Sequence, residues 1–167
     1  MRFVSWKKVK SWHCIACGEC CKKFNVPLKP SEYVKISRLF NGKVFNFNVK
    51  PGRVYIRRKN NKKCIFQYKK FARWLCRIQN IKPIACKIFP FLISKSKNKE
   101  ALYKYKGVSY NVYLDTTCIS IELGEPSINF IYKTIPKALE LSLDPYSPLN
   151  LLTSNLLREL NVSEDYF

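Results

Sequence analysis

The sequence predicts a single small α+β domain with an irregular, metal-organised core, short strands and C-terminal helices. Three observations lead there. The chain has 167 residues, 47% hydrophobic and 25% charged, ordinary globular values for a length that buries roughly two-thirds of the unfolded surface. Eight residues are cysteine, four of them inside HCIACGECCKKF at 13–24. Alternating apolar runs broken by Pro-Gly, Lys-Gly and polar turns fill the middle, whereas helical spacing appears near residues 30–40 and beyond 126. One domain is expected over 1–167, with a cysteine-bearing basic part at 13–118 and a helical cap at 126–160.

Residues 14–24 read as a turn leading into a short helix. LKPSEYVKISRLF predicts a helix with Ser31 as N-cap, Glu32 in its first turn, and Tyr33, Ile36, Leu39 and Phe40 on one face; Asn41-Gly42 ends it. The stretch 44–58 alternates well enough for one or two strands around the Pro51-Gly52 turn. Residues 64–93 hold three cysteines among dense aromatics. Pro83 and Pro90 forbid one uninterrupted helix there, so short strands and one or two helical turns are expected. SKSKNK at 94–99 reads as a polar hairpin or loop, and the following segment reads as strands turning at Lys106-Gly107. At the end, SINFIYKTIPKALEL has apolar residues at 128, 131, 135, 138 and 139 with Pro136 kinking or splitting the helix. PLNLLTSNLLREL is a second helix opened by Pro148.

The net charge is +20 and unevenly spread: residues 1–110 hold 28 Lys and Arg against three acids, residues 111–167 three against eight. The N-terminal stretch MRFVSWKKVKSWHC lacks the apolar block of an export signal, and no apolar run is long enough to span a membrane. A cytoplasmic location is therefore expected, where clustered cysteines serve as ligands or redox groups rather than as a disulfide framework.

Two cysteines separated by two residues can turn toward one metal from a single tight turn, as in zinc ribbons and iron–sulfur proteins. Cys14 to Cys17 and Cys17 to Cys20 both have that spacing, and Gly18 suits a knuckle that needs positive φ. Adjacent Cys20 and Cys21 diverge by about 100° on a helix. On that template Cys14, Cys17 and Cys21 share a face and Cys20 lies aside, serving a second site or none. With Cys64, Cys76, Cys86 and Cys118 the total reaches eight, enough for two four-thiolate sites or for one site with spare thiols. His13, the only histidine, reads as a ring packed near Trp12 or as a substitute ligand. All-thiolate ligation suits zinc and iron alike, including an iron–sulfur cluster.

The order CxxCGxCC, then CIF, CRI and KPIACKIFP, resembles the zinc- or iron-chelating cysteine-cluster family, the YkgJ-like CxxCxxCC proteins. Cys14, Cys17, Cys20 and Cys21 match its opening motif, Cys64 and Cys76 its middle cysteines, Cys86 and Phe89-Pro90 its closing segment, and Cys118 its late cysteine. The family usually shows Arg-Pro where this chain has Lys82-Pro83, and Tyr where Gln79 stands. The resemblance implies zinc or iron binding by these eight cysteines. Some larger relatives are protein lysine methylases of flagellin, which keeps a redox or catalytic iron–sulfur protein as an alternative, although no strand followed by a glycine-rich loop supplies an S-adenosylmethionine site.

Conventional catalytic groupings are nearly absent, since three acids in 110 residues leave no carboxylate pair and the one histidine has no evident partner. The basic residues offer a second alternative. Arg57, Arg58, Lys59, Lys62, Lys63, Lys69, Lys70 and Arg73 interleave with Tyr55, Phe66, Tyr68 and Trp74, the mixture of backbone charge and stacking surface that binders of single-stranded nucleic acid use. The same residues also read as a solvated basic face, and the acidic C-terminal part as its neutralising cover.

Overall fold

The structure, a computed structural model, describes residues 2–95, 99–144 and Thr153. Along the chain run β1 (Phe3–Ser5), β2 (Val9–Trp12), α1 (Glu19–Lys23), α2 (Pro30–Ser37), β3 (Phe45–Asn46), β4 (Tyr55–Ile56), β5 (Gln67–Lys70) and β6 (Arg73–Cys76). Then come α3 (Ile84–Lys87), β7 (Phe91–Ser94), β8 (Leu102–Tyr105), β9 (Val108–Asp115), β10 (Ile121–Leu123) and α4 (Ile135–Leu143). Short helices alternate with antiparallel pairs, so the α+β class holds. Among the described residues no helix is long and apolar enough to cross a membrane. The expected helix from Pro148 onward, Thr153 excepted, and residues 96–98 of the expected 94–99 segment lie outside the described residues.

Contacts gather the chain into two compact units, one from the chain up to Cys14 and from Pro83 onward, the other from Ile15–Lys82 with Thr153. In the first, β9 is the spine of an antiparallel sheet. It pairs with β1 through Phe3↔Asp115 to Ser5↔Tyr113, with β7 through Phe91↔Leu114 to Ser94↔Asn111, and with β8 through Leu102↔Asn111 to Tyr105↔Val108. The β8–β9 connection is the expected Lys106-Gly107 turn, both residues at positive φ (48° and 76°). Two left-handed residues match the right-handed strand twist of a two-residue hairpin. β2 and β10 form a separate pair, from which Val9 and Trp12 enter the same apolar cluster as Tyr110, Val112 and Leu114 of β9.

Pro136 does not split the last helix. Residues 128–143 are helical throughout, with a π-helical turn at Phe130–Thr134 in which the Ile135 N–H reaches back to the Phe130 carbonyl. Proline lacks the N–H that an α-helix would need at 136, and its ring collides with the carbonyl four residues earlier; the wider turn relieves both. It also changes which residues face inward. Five α-helical residues turn the chain by about 500°, leaving 130 and 135 far apart around the axis, whereas the wide turn brings them nearly into line. Phe130 is accordingly 1% exposed and Ile128, expected on the apolar face, is 76% exposed. Ile135, Ala138, Leu139 and Leu141 complete the cluster.

The second unit has smaller elements. Helix α2 is capped by Lys29, not Ser31: Pro30 takes the first helical position, where its missing N–H costs nothing, and the Glu32 carboxylate accepts the Lys29 N–H at 2.8 Å. Because the helix ends at Ser37, Leu39 falls outside the apolar stripe and is exposed, while Ile36 is fully buried. β3 and β4 pair on either side of Pro51-Gly52, and the 26–28 segment lies along β4 through Leu28 N–H to Val54 O and Ile56 N–H to Val26 O. Ile36, Val44, Phe45, Ile56, Phe66 and Ile78 form this unit's apolar cluster, with the rings of Phe40 and Phe66 5.0 Å apart at its side.

Candidate metal centre

Gly18 sets the geometry of the cysteine cluster. Residues 13–18 are not helical, and Gly18, in the left-handed region at φ 76°, turns the chain into α1. The helical template that would align Cys14, Cys17 and Cys21 therefore does not apply. A Cβ on Gly18 would run into Nε2 of Gln67 and come within 2.7 Å of Cβ and Cγ of Trp74. The missing side chain thus lets the knuckle lie directly on the β5–β6 hairpin. Two bonds hold it there: Gln67 Nε2 donates to Gly18 O at 3.0 Å and the Trp74 N–H to Ala16 O at 2.8 Å. The other atom of that amide, Gln67 Oε1, is buried without a hydrogen-bond partner among the described residues.

The docking brings four cysteines into one region of the unit. Cys20 and Cys21 sit in the first turn of α1, the Cys64 N–H donates to Cys21 O at 3.0 Å, and Cys76 closes β6 opposite Gln67. The Cys21 thiol hydrogen-bonds to Cys20 and holds its pKa down to about 7, helped by Lys82 and by backbone N–H groups against the opposing effect of burial. Cys64 and Cys76 are pushed up, burial being the main cause in both. Backbone N–H groups of Phe66 and Gln67 at Cys64, and of Ile78 at Cys76, favour the thiolates. Each of these two thiols also feels another member of the group, Cys64 feeling Cys76 and Cys76 feeling Cys20. Backbone amides aimed at a sulfur two or three residues earlier stabilise negative charge there. Among the described residues no three His, Cys, Asp or Glu side chains stand already arranged around an ion. The thiols nevertheless suit a thiophilic metal in kind and number.

Lys82 is a part of this centre that motif spacing does not reveal. It is 6% exposed, and its ammonium donates to Thr153 O at 3.0 Å and Thr153 Oγ1 at 2.9 Å. Its charge favours ionisation of Cys20, Cys64 and Cys76. A buried ammonium favours negative charge beside it, and Cys20, whose thiol pKa is held down to about 7, is the group best placed to carry it. The one hint in the sequence is that Lys82 stands where the resembling family places Arg.

The remaining cysteines divide between the units. Cys17 belongs to the second unit with the four above, while Cys14, Cys86 and Cys118 belong to the first. Cys14 and Cys118 both pack against the first unit's apolar cluster. Trp12 Nε1 donates to Cys118 Sγ at 3.3 Å, and Ser120 Oγ lies 3.3 Å from the same sulfur. His13 is exposed.

Of the basic residues singled out from the sequence, two are partly committed to the backbone. Arg57 donates to Lys43 O at 3.1 Å and Arg58 to Lys62 O at 2.7 Å, bracing a tight turn that the Lys59 N–H closes onto Lys63 O. Lys63, Lys69 and Lys70 instead reach toward aromatic rings of the β5–β6 hairpin.

A family model described as "Putative zinc- or iron-chelating domain", CxxCxxCC, matches residues 13–118. The chain is also similar to an uncharacterized protein of Methanocaldococcus jannaschii, 26% identical over 135 residues that cover 73% of this chain and 64% of that one. No solved structure matches.

Proposed function

The chain belongs to the CxxCxxCC family of zinc- or iron-chelating domains, and from that premise we propose that Cys20, Cys21, Cys64 and Cys76 hold the metal, with Lys82 offsetting part of the charge. Four thiolates around a dication carry about −2, and the buried ammonium brings the group to about −1. What supports this reading is the mutual electrostatic influence that runs from Cys20 to Cys76 and from Cys76 to Cys64, with Lys82 acting on all three and backbone N–H groups turned toward Cys64 and Cys76. When bound, the metal supplies cross-links among α1, the Cys64 turn and β6. The chain's own residues orient the sulfurs: Gly18 by its positive φ, Gln67 by gripping the knuckle carbonyl, and Lys82 by stabilising thiolate over thiol.

Elemental analysis with an absorption spectrum of anaerobically purified protein tests this reading and identifies the metal. A zinc centre is colourless, whereas an iron–sulfur cluster absorbs in the visible and bleaches on reduction. Cys20→Ser, Cys21→Ser, Cys64→Ser and Cys76→Ser are each expected to lose most of the metal. Cys14→Ser and Cys118→Ser are expected to retain at least one equivalent. Equal loss from Cys14→Ser would place the ligands elsewhere.

A further inference from the structure

The β5–β6 hairpin has a second side to its chemistry that metal binding does not use. Its tip carries Phe71, 86% exposed and held at a positive φ of 52°. A non-glycine residue in that region is uncommon, and an exposed ring gains no burial in return. Cations surround the rings of this hairpin. Lys70 Nζ lies 5.8 Å from the Phe71 centroid, Lys63 Nζ 4.4 Å and Lys69 Nζ 6.0 Å from that of half-buried Trp74, and Arg77 Cζ 5.9 Å from that of Tyr68. Neither Asp nor Glu occurs between Glu32 and Glu100. Residues 15–82 hold 18 Lys and Arg against two acids, and both acids are engaged, Glu19 with Lys22 and Glu32 with the Lys29 N–H.

We propose that the β5–β6 hairpin, with the adjoining 59–63 turn, is a binding surface for single-stranded nucleic acid, in which Phe71 stacks on a base while Lys59, Lys62, Lys69 and Lys70 contact backbone phosphates. A purely solvated basic face accounts for the lysines and leaves the strained, exposed phenyl ring without a role. A strand of nucleotides uses both, since every base has a face to stack and every linkage a charge to neutralise. The surface lies wholly within the second unit and does not depend on which metal the thiols hold.

The test is fluorescence anisotropy of labelled oligo-dT and oligo-rU, with a duplex of equal length as control, titrated with metal-loaded protein at increasing KCl. Single strands of either sugar are expected to bind more tightly than the duplex, the ratio of the two arms telling whether RNA or DNA is preferred. Phe71→Ala is expected to weaken single-strand binding about 5- to 150-fold with the salt dependence unchanged. Lys69→Ala/Lys70→Ala is expected to flatten the slope of log K against log salt by about 1.4. Metal content, measured on each variant, should stay at the wild-type value, which separates loss of this surface from loss of the thiolate centre. Binding insensitive to Phe71→Ala, equal affinity for heparin and oligonucleotide, or capture by phosphatidylserine vesicles without oligonucleotide binding would each overturn the proposal.

Discussion

The two units are held by different means. In the first, an eight-residue central strand and the helix with the wide turn enclose an apolar cluster that numbers twelve buried residues among those described. In the second, the described strands, two to four residues long, accompany a cluster of six among the described residues. At about 1.5–3 kcal/mol for each fully buried large side chain, six fewer residues leave the second unit short by on the order of 10 kcal/mol. That is the magnitude a structural thiolate metal contributes to folding. Five of the eight cysteines fall in the unit with the smaller core. On the proposed ligand set, metal would do in the second unit part of what oil does in the first.

Removing the metal should give the largest effect and the sharpest contrast. Complete chelation is expected to abolish amide protection at Cys64, Gln67 and Trp74, whose N–H groups hold the thiol neighbourhood, while the β7–β9 amides keep theirs. Hydrogen exchange read residue by residue measures it, and parallel loss in both units would refute the division of labour. The converse experiment strikes the apolar unit. Leu139→Ala opens a cavity in the cluster that fully buried Leu139 shares with Phe130 and Leu114, at an expected cost of about 2–5 kcal/mol. Urea denaturation should report that loss, with metal content unchanged.

The smallest expected effect lies at the edge of the sheet. Burial of Asp115 opposes its charge, but the Arg2 guanidinium at 2.9 Å and the hydroxyl and N–H of Thr117 outweigh it, so its pKa falls below the ordinary 3.8. A depressed carboxyl contributes stability that is complete above the unfolded value and disappears as pH falls through the folded one. Half-exposed Arg2 limits the contribution to about 1 kcal/mol. The wild-type advantage over Asp115→Asn, followed by exchange at Ser5 and Tyr113, should therefore be full at neutral pH and shrink only below pH 3.8. A gap that narrows between pH 7 and 5 would assign the effect to another group.

Legibility in the sequence followed the range of the forces involved. The Lys106-Gly107 and Pro51-Gly52 turns could be read directly, because two residues decide them. The cap of α2 went to Lys29 because proline's preference for the first helical position outweighs the cap preference of Ser31. Ile128 read as core and Phe130 did not, since a period of 3.6 cannot anticipate one wide turn. At the centre, cysteine spacing revealed the chemistry but not the partition. Which thiols meet depends on Gly18 lying against Gln67 and Trp74, a contact across some fifty positions of chain. Lys82 was hidden for the same reason: one lysine among 23 shows its role only once burial is known.

The wide turn before Pro136 also bears on how this sequence should be compared with others. A π-turn holds one residue more than the α-helix it interrupts. A homologue lacking the proline can drop that residue and still place the counterparts of Phe130 and Ile135 on the same core. An alignment of such chains should open a single-residue gap opposite 131–134, and one forced through without the gap would pair Phe130 with an outward-facing position.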